Sequence, residues 1–356
     1  MIGKKSDWLT NHSSVQIMNQ PPKKILIIDN GGTVSMKRIS GSLAPVDGKE
    51  DILKLIYQIK TPVEIDYLKV NSIDSTNLSP PVMKPVYDAI VKNYSVYHGF
   101  VVLTGTDTLA YLASFLSFWL LEIHSPVVIT GSQKPLNELG SDAPGNIYYS
   151  ILFARENIPG VSVFFWQKLY MGNRVTKVDS RGFDAFDSPK HPPAGHIDAF
   201  NLRIHAGLEH YLRPQKKENF NYAWSPHVAV IKLYPGFNPE LLKILPQMGY
   251  RGLIIEAFGL GNLPNEGEYS LEDTVKEIVD KGIVIGICSQ CLKGAVQVEY
   301  ETARRFELLR VIFLRDITPE AAYAKLSYLL GISENMEWIR IKLSESMAGE
   351  MSIWDE

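Results

Sequence analysis

Short apolar runs alternate along this chain with stretches whose apolar residues recur every three or four positions, the pattern of strands separated by amphipathic helices. Strands are expected at Lys24–Ile28, Val63–Val70, Gly99–Leu103, Pro126–Thr130 and Val161–Phe165, and helices at Asp51–Lys60, Val86–Tyr94, Asp107–Leu121 and Asn146–Glu156. Such alternation predicts an α/β fold in which helices cover a mainly parallel sheet, here a larger, doubly wound N-terminal domain over residues 23–200. The pattern breaks over 201–225, a polar segment containing Pro214, Lys216, Lys217 and Glu218, which is expected to connect two domains. Further runs at Val228–Leu233, Gly252–Phe258, Gly282–Cys288 and Val311–Leu314 predict a smaller C-terminal α/β domain over 226–356. Its clearest helix has Thr318 as N-cap, Pro319 in first position and Gly331 as the expected stop.

Composition narrows the partners. The 356 residues are 45% hydrophobic, enough for a large core and for two domains. A net charge of -3, with basic pairs such as Lys23-Lys24 and Lys216-Lys217 dispersed, argues against a nucleic-acid or anionic-membrane surface. Residues 1–22 are polar, lack an apolar signal core and end in Pro21-Pro22, which predicts a flexible leader and a cytoplasmic protein. Leu109–Leu121 is interrupted by Ser114 and Ser117 and falls short of the about 20 residues that cross a bilayer, so it reads as a buried helix. Cys288 and Cys291 form a C-x-x-C pair without two further zinc ligands at suitable spacing, and they follow a late strand. Two structural thiols are expected there, and no metal site.

The candidate chemistry lies where strands end. Asn30-Gly31-Gly32-Thr33 follows the first apolar run, and Thr104-Gly105-Thr106-Asp107-Thr108 follows the third. In an open parallel sheet the carboxyl ends of neighbouring strands face one crevice, so hydroxyls from both turns can converge on a small substrate. Taken singly, either turn also fits a phosphate loop or a purely structural role. No Gly-x-Gly-x-x-Gly follows a strand and no Gly-Lys-Ser/Thr closes a phosphate loop. The pair outlines a threonine-nucleophile hydrolase.

Longer motifs occur in order: Gly31-Gly32-Thr33-Val34-Ser35-Met36, Ile73-Asp74-Ser75-Thr76-Asn77, Thr104 to Thr108, Thr130-Gly131-Ser132-Gln133-Lys134-Pro135-Leu136, Gly172-Asn173-Arg174-Val175-Thr176-Lys177 and Gly182 to Pro189. With them the chain resembles the bacterial-type L-asparaginases, in particular the cytoplasmic type I group, from about Lys24 to Leu330. The resemblance implies conversion of L-asparagine to L-aspartate and ammonia through an acyl-enzyme, without metal or organic cofactor. It makes Thr33 the nucleophile, with Thr106, Lys177 and Asp107 as the group that relays its proton. Asp74 and Ser75 would grip the amino-acid end of the substrate, and Asp107 would also face the α-ammonium. Backbone amides at the two glycine turns would hold the oxyanion. The resemblance also implies a homodimer or homotetramer in which the second domain completes a neighbour's site. Read without it, Lys177 is a surface lysine beside Asp179, Asp74-Ser75 is a turn or cap, and Asp107 caps the helix that follows.

Departures from the family pattern redirect some expectations. Leu43 stands where the lid segment Val34–Gly48 would carry a tyrosine near the nucleophile, and Asn30 replaces a threonine. Glu256 stands where type I enzymes with an effector site place an arginine, which predicts no regulation by asparagine, although Cys291 matches the family's cysteine. Val298–Leu309, with Glu299, Glu301, Arg304 and Arg305, is more charged than the family's version. Two alternatives therefore stand beside asparagine hydrolysis. One is action on a larger amide, such as a peptide-borne asparagine or glutamine or a glutamyl adduct on tRNA. The other is a catalytically silent homologue that binds an amino acid or a protein.

Overall fold

A computed structural model describes residues 23–39, 41–45, 48–58, 63–199, 201–205 and 218–353. The expected leader over 1–22 and residues 206–217 of the expected connection therefore lie outside the described residues. The first domain is built on an eight-stranded sheet of order β13-β12-β9-β8-β7-β5-β1-β4. Its parallel part comprises β1 (Lys24–Gly31), β4 (Glu64–Ile73), β5 (Gly99–Leu103), β7 (Pro126–Thr130) and β8 (Gly160–Phe165). An antiparallel extension follows in β9 (Lys168–Met171), β12 (Gly195–Ile197) and β13 (Leu202–Ile204). The segment expected as a connection thus begins with the sheet's last strand. Between β1 and β4, strands β2 (Met36–Ile39) and β3 (Ser42–Pro45) form a separate hairpin.

Both faces of the parallel strands are covered, and side-chain alternation shows it. Leu26 and Ile28 of β1, with Phe100 and Val102 of β5, enter one core. Ile25 and Ile27, with Val101 and Leu103, enter the core on the opposite face. Strands buried on both sides tolerate no polar alternation, which is why these segments read as continuous apolar runs. Helices α1 (Lys49–Gln58) and α4 (Ala143–Arg155) cover the second face. On the first face lie α2 (Pro80–Asn93) and α3 (Leu109–Trp119).

The second domain is a four-stranded parallel sheet, β15-β16-β17-β18, made of Val228–Lys232, Gly252–Ala257, Val284–Ser289 and Ile312–Phe313. Helices α5 (Glu240–Gln247), α6 (Glu272–Asp280) and α7 (Glu301–Leu308) cover one face, and α8 (Pro319–Ile332) and α9 (Met336–Ser344) the other. One continuous core runs from the first sheet through α3 and α8 to the second sheet. Phe115 meets Tyr323 with ring centroids 5.7 Å apart, and Phe118 stacks on Tyr328 at 6.3 Å. Sandwiched in this way, α3 buries every residue except Tyr111. Among the described residues no helix is long and apolar enough to cross a membrane.

Helix α8 corrects one expectation. Thr318 caps it as expected, accepting from the amide of Ala321 at 3.2 Å, but the helix continues through Gly331 to Ile332. Gly331 is not a left-handed stop. A Cβ there would lie 2.5 Å from the amide nitrogen of Trp224, so the glycine permits close passage of the 223–225 segment. That segment is fastened to α8 by Ser225 N donating to Ser327 O at 2.9 Å and Ser327 Oγ donating to Ser225 O at 2.8 Å. Alanine's better helix propensity is worth about 1 kcal/mol, while overpacking against fixed backbone costs about 1–3 kcal/mol. Gly331→Ala is therefore expected to lower the thermal midpoint, and a raised midpoint in a melting experiment would show that the Trp224 segment yields without cost.

Candidate active site

The order β4-β1-β5-β7-β8 places the sheet's reversal of direction between β1 and β5, since the chain leaves β1 to one side and β5 to the other. At such a point the loops leaving two neighbouring strands diverge and open a crevice. Both glycine turns emerge there. Gly31 and Gly32 have φ of 91° and 87°, a region that side chains other than glycine rarely adopt. They turn the chain into a single 3-10 turn, Thr33–Ser35.

The turns are in backbone contact. A Cβ on Gly32 would fall 2.1 Å from the amide nitrogen of Gly105, and one on Gly105 would fall 2.6 Å from Ser75 Oγ. Thr33, Ser75 and Thr106 are thereby carried on three turns that touch one another, each following a different strand end. Side-chain bonds hold the strands in register. Asn30 Nδ2 donates to Thr104 Oγ1 at 3.2 Å, and Asn71 Nδ2 donates to Asn30 Oδ1 at 2.7 Å, so Asn30 bridges three segments. Fully buried Asp29 accepts from Gly31 N at 2.8 Å, Tyr67 Oη at 2.6 Å and Ser35 Oγ at 3.3 Å, which braces the turn on either side of Thr33.

Lys177 is brought to this crevice from far along the chain. It sits in β10 (Thr176–Lys177), paired antiparallel with β11 (Phe186–Asp187). Its Nζ donates to Thr106 Oγ1 at 2.8 Å and to Asp107 Oδ1 at 2.7 Å. Its side chain is 19% exposed, whereas that of Asp107 is 57% exposed. Lys177 is thus no surface lysine paired with Asp179, whose carboxylate instead accepts from the amides of Arg181 and Gly182. Nor does Asp107 cap α3: Thr108 is at that position, and its hydroxyl donates to Ser75 O at 2.7 Å.

The remaining candidates differ in what they do locally. Asp74 does behave as a turn cap, accepting from Thr76 N and Thr76 Oγ1, both at 3.0 Å. Ser75 is buried at the Gly105 contact. Thr33 hydrogen-bonds neither Thr106 nor Lys177. The amides of Gly31 and Gly32 are engaged by Asp29 and by Ile73 O, so neither of these two is free to serve an oxyanion. The side chain of Leu43 lies outside the described residues. Its backbone pairs with Arg38, whose Nε bonds Glu138 at 2.9 Å and moors the hairpin to the loop after β7. Cys288 is buried and Cys291 exposed, both as free thiols, so only the first is a core residue. Among the described residues no cluster of His, Cys, Asp or Glu could hold a metal ion.

Two family models match the chain: the N-terminal domain of asparaginase over residues 24–209, and the glutaminase/asparaginase C-terminal domain over residues 227–341. The chain belongs to the asparaginase family. It is 35% identical to L-asparaginase 1 of Escherichia coli K12, over 93% of this chain and 98% of that protein. It is 32% identical to the mouse 60 kDa lysophospholipase over 94% of this chain, but spans only 63% of that protein's length. Its fold superimposes on the thermostable L-asparaginase of Thermococcus kodakarensis with a TM-score of 0.85 at 32% identity, covering 93% of this chain and all of that one. The chain is accordingly an asparaginase-type amidohydrolase.

Within this family fold, the segment that carries Lys177 is anchored by the second domain. Buried Arg174 donates Nη1 to Asp316 at 2.8 Å and Nε to Gly349 O at 2.7 Å, and Asn173 Nδ2 donates to Ala348 O at 2.8 Å. Thr176 Oγ1 donates to Glu320 Oε1 at 2.6 Å. Burial pushes the Glu320 carboxyl up, and Glu256 adds to the effect. Burial, followed by nearby carboxylates that include Glu256, also pushes the Tyr111 phenol and the Cys288 thiol up to about 12 each.

Asp316 supplies a pH handle on the anchor. Burial works to raise its carboxyl, but the Arg174 guanidinium and the amide and hydroxyl of Ser352 outweigh it and hold the group below its ordinary value of 3.8. A carboxylate depressed on folding stabilises the native state above its unfolded value, and that contribution is lost as pH falls through the folded value. Urea midpoints are therefore expected to drop below about pH 4. Asp316→Asn should have a lower midpoint at neutral pH and a shallower acid decline; an unchanged decline would remove Asp316 from the cause.

Proposed function

We propose that this chain hydrolyses L-asparagine to L-aspartate and ammonia, with Thr33 as nucleophile. The observation that carries the reading is the pair of hydrogen bonds that Lys177 Nζ donates to Thr106 Oγ1 and Asp107 Oδ1, made on a turn in backbone contact with Gly32. A carboxamide is a poor electrophile and a threonine alcohol a weak nucleophile, so the reaction needs a proton acceptor beside the alcohol. Thr33 Oγ1 adds to the side-chain amide carbon while its proton passes through the Thr106–Lys177 pair to the departing nitrogen. The C–N bond breaks, ammonia leaves, and an aspartyl ester remains on Thr33. Water then adds to the ester carbon, gives a proton to the same pair, and the C–O bond to Thr33 breaks with return of that proton.

The substrate's amino-acid end is assigned to Asp107 and the 74–75 turn. The open edge of Asp107 suits an α-ammonium, and Ser75 Oγ suits an α-carboxylate. The same exposure of Asp107 favours a second reading, in which a larger amide such as a peptide-borne asparagine enters the cleft. Assembly as a homodimer or homotetramer and a cytoplasmic location belong to the same proposal.

Ammonia release from L-asparagine, L-glutamine and an asparagine-containing peptide separates these readings, with Thr33→Ala as blank. Release from free asparagine is expected, falling by about a thousandfold or more in Thr33→Ala, the scale of loss when a nucleophile is removed. An equal rate in that variant rejects Thr33 as nucleophile, and release from the peptide alone favours the second reading. Because the carboxylate side chain of Glu256 stands where effector-regulated type I enzymes place an arginine, initial rates against asparagine concentration should follow a hyperbola. A sigmoidal curve would contradict this.

A further inference from the structure

The β8–β9 hairpin turns on two residues, Trp166 and Gln167, and Trp166 has a φ of 59°. Two-residue turns usually give a positive φ to glycine, asparagine or aspartate, and a bulky side chain gains nothing from that conformation. Among the described residues other than glycine with positive φ, Trp166 is the one aromatic. Its indole stacks on Phe183 with ring centroids 5.3 Å apart and planes 19° from parallel. One face of the indole is covered in this way, yet 39% of the residue stays exposed. The local fold accounts for a turn here; it does not account for a large ring held open to solvent.

The stacked pair is built into the network that holds the turns after β5 and β7. Trp166 N donates to Asn146 Oδ1 at 3.0 Å. Asn146 Nδ2 donates to Gly131 O at 2.9 Å and to Asp142 at 3.1 Å, and the Asp142 carboxylate accepts from the amide of Gln133 at 3.1 and 2.9 Å. The Gln133 side chain reaches from Thr106 Oγ1, at 3.3 Å, to Gly182 O, at 2.9 Å, and Gly182 precedes Phe183. Gly182 O is therefore at most about 9 Å from Thr106 Oγ1, within the span of three extended residues at about 3.3 Å each. A ring on the Trp166–Phe183 pair and an amide beside Thr106 fit within one short peptide.

Charge narrows the occupant. Residues 166–168 and 179–184 carry Lys168 and Arg181 against Asp179 and Asp184, two charges of each sign. Lys168 pairs with Asp184 at 3.2 Å, and the Asp179 carboxylate is taken up by the amides of Arg181 and Gly182. Such surroundings select for neither a cation nor an anion, whereas an open indole face favours a second ring by stacking. We infer that Trp166 and Phe183 form a subsite for an uncharged aromatic side chain of a peptide whose asparagine lies at Thr33. The inference rests on the asparagine-hydrolysis reading above and deepens its larger-amide form: beyond free asparagine, the substrates are peptides with an aromatic residue one to three positions from the asparagine. Trp166 is then a specificity-determining residue that meets the substrate away from the reacting carbon.

The test uses the full chain and seven-residue alanine-based peptides with a central asparagine and one phenylalanine, placed one to three positions away on either side. In Thr33→Ala, which leaves the peptide intact, the best-placed phenylalanine is expected to lower Kd about tenfold relative to the all-alanine peptide, the scale of one buried aromatic stack. Adding Trp166→Asn, a residue that adopts positive φ readily, should bring the two Kd values within about twofold of each other. In the parent the same phenylalanine is expected to raise kcat/KM for ammonia release about tenfold, and in Trp166→Asn that ratio should fall to within about twofold of one. Equal Kd for all the peptides overturns the inference, as does a preference that survives Trp166→Asn. A Trp166-dependent preference in Kd, with a parent that releases no ammonia from asparagine or peptide, upholds the subsite and ends the reading of asparagine hydrolysis at Thr33 instead.

Discussion

The site depends on one steric fact: the turn after β1 and the turn after β5 approach so closely that neither can carry a side chain at the point of contact. Gly32 and Gly105 leave no room for a Cβ, and Ser75 closes the third side. A close-packed contact between two peptide backbones has little room to deform. Hydroxyls mounted one residue beyond each glycine inherit that stiffness. The sheet's reversal point supplies the crevice, and the glycines bring its two walls together.

The second domain takes part in this site although it supplies none of the assigned side chains. Lys177 ends a segment whose preceding side chains are held by C-terminal elements, through Asn173, Arg174 and Thr176, while its backbone pairs with β11. Those elements are organised by a buried pair, Lys325 and Glu350, 2.7 Å apart. The Glu350 carboxylate also accepts from the amides of Met347 and Ala348, shaping the turn that presents carbonyls to Asn173 and Arg174. Removing one partner of such a pair leaves an uncompensated buried charge, typically at a cost of about 3–5 kcal/mol. The amine's placement is thus coupled to the packing of α8 against α3, the same interface that joins the two cores.

Legibility in the sequence followed the range of the interactions. Gly99–Leu103 and Pro126–Thr130 coincide with β5 and β7 because buried parallel strands leave a continuous apolar signal. Strands β9, β12 and β13 went unseen, since an antiparallel edge carries short, mixed segments such as Gly195–Ile197 that resemble loops. Thr33, Thr106, Asp107 and Lys177 emerged from linked motifs and not from any property of the single residues. Asp29, Gln133 and Arg174 were not singled out, although Asp29 ends an apolar strand with a charge, a signal that could have been read. Gln133 and Arg174 carried no such mark, because their roles are defined by partners as distant in sequence as Gly182 and Gly349.

Local patterning by itself therefore determined the α/β class, the main strands, the N-cap of α8 and the turns on which the chemistry sits, because each rests on burial periodicity or backbone freedom within a few residues. Tertiary structure alone decided that Gly331 allows a neighbour's passage and does not end its helix, that the Gly31 and Gly32 amides are already engaged, and that a lysine is delivered to Thr106 across 71 positions. Such contacts join residues whose separation along the chain bears no relation to their separation in space, and only packing brings them within hydrogen-bond reach.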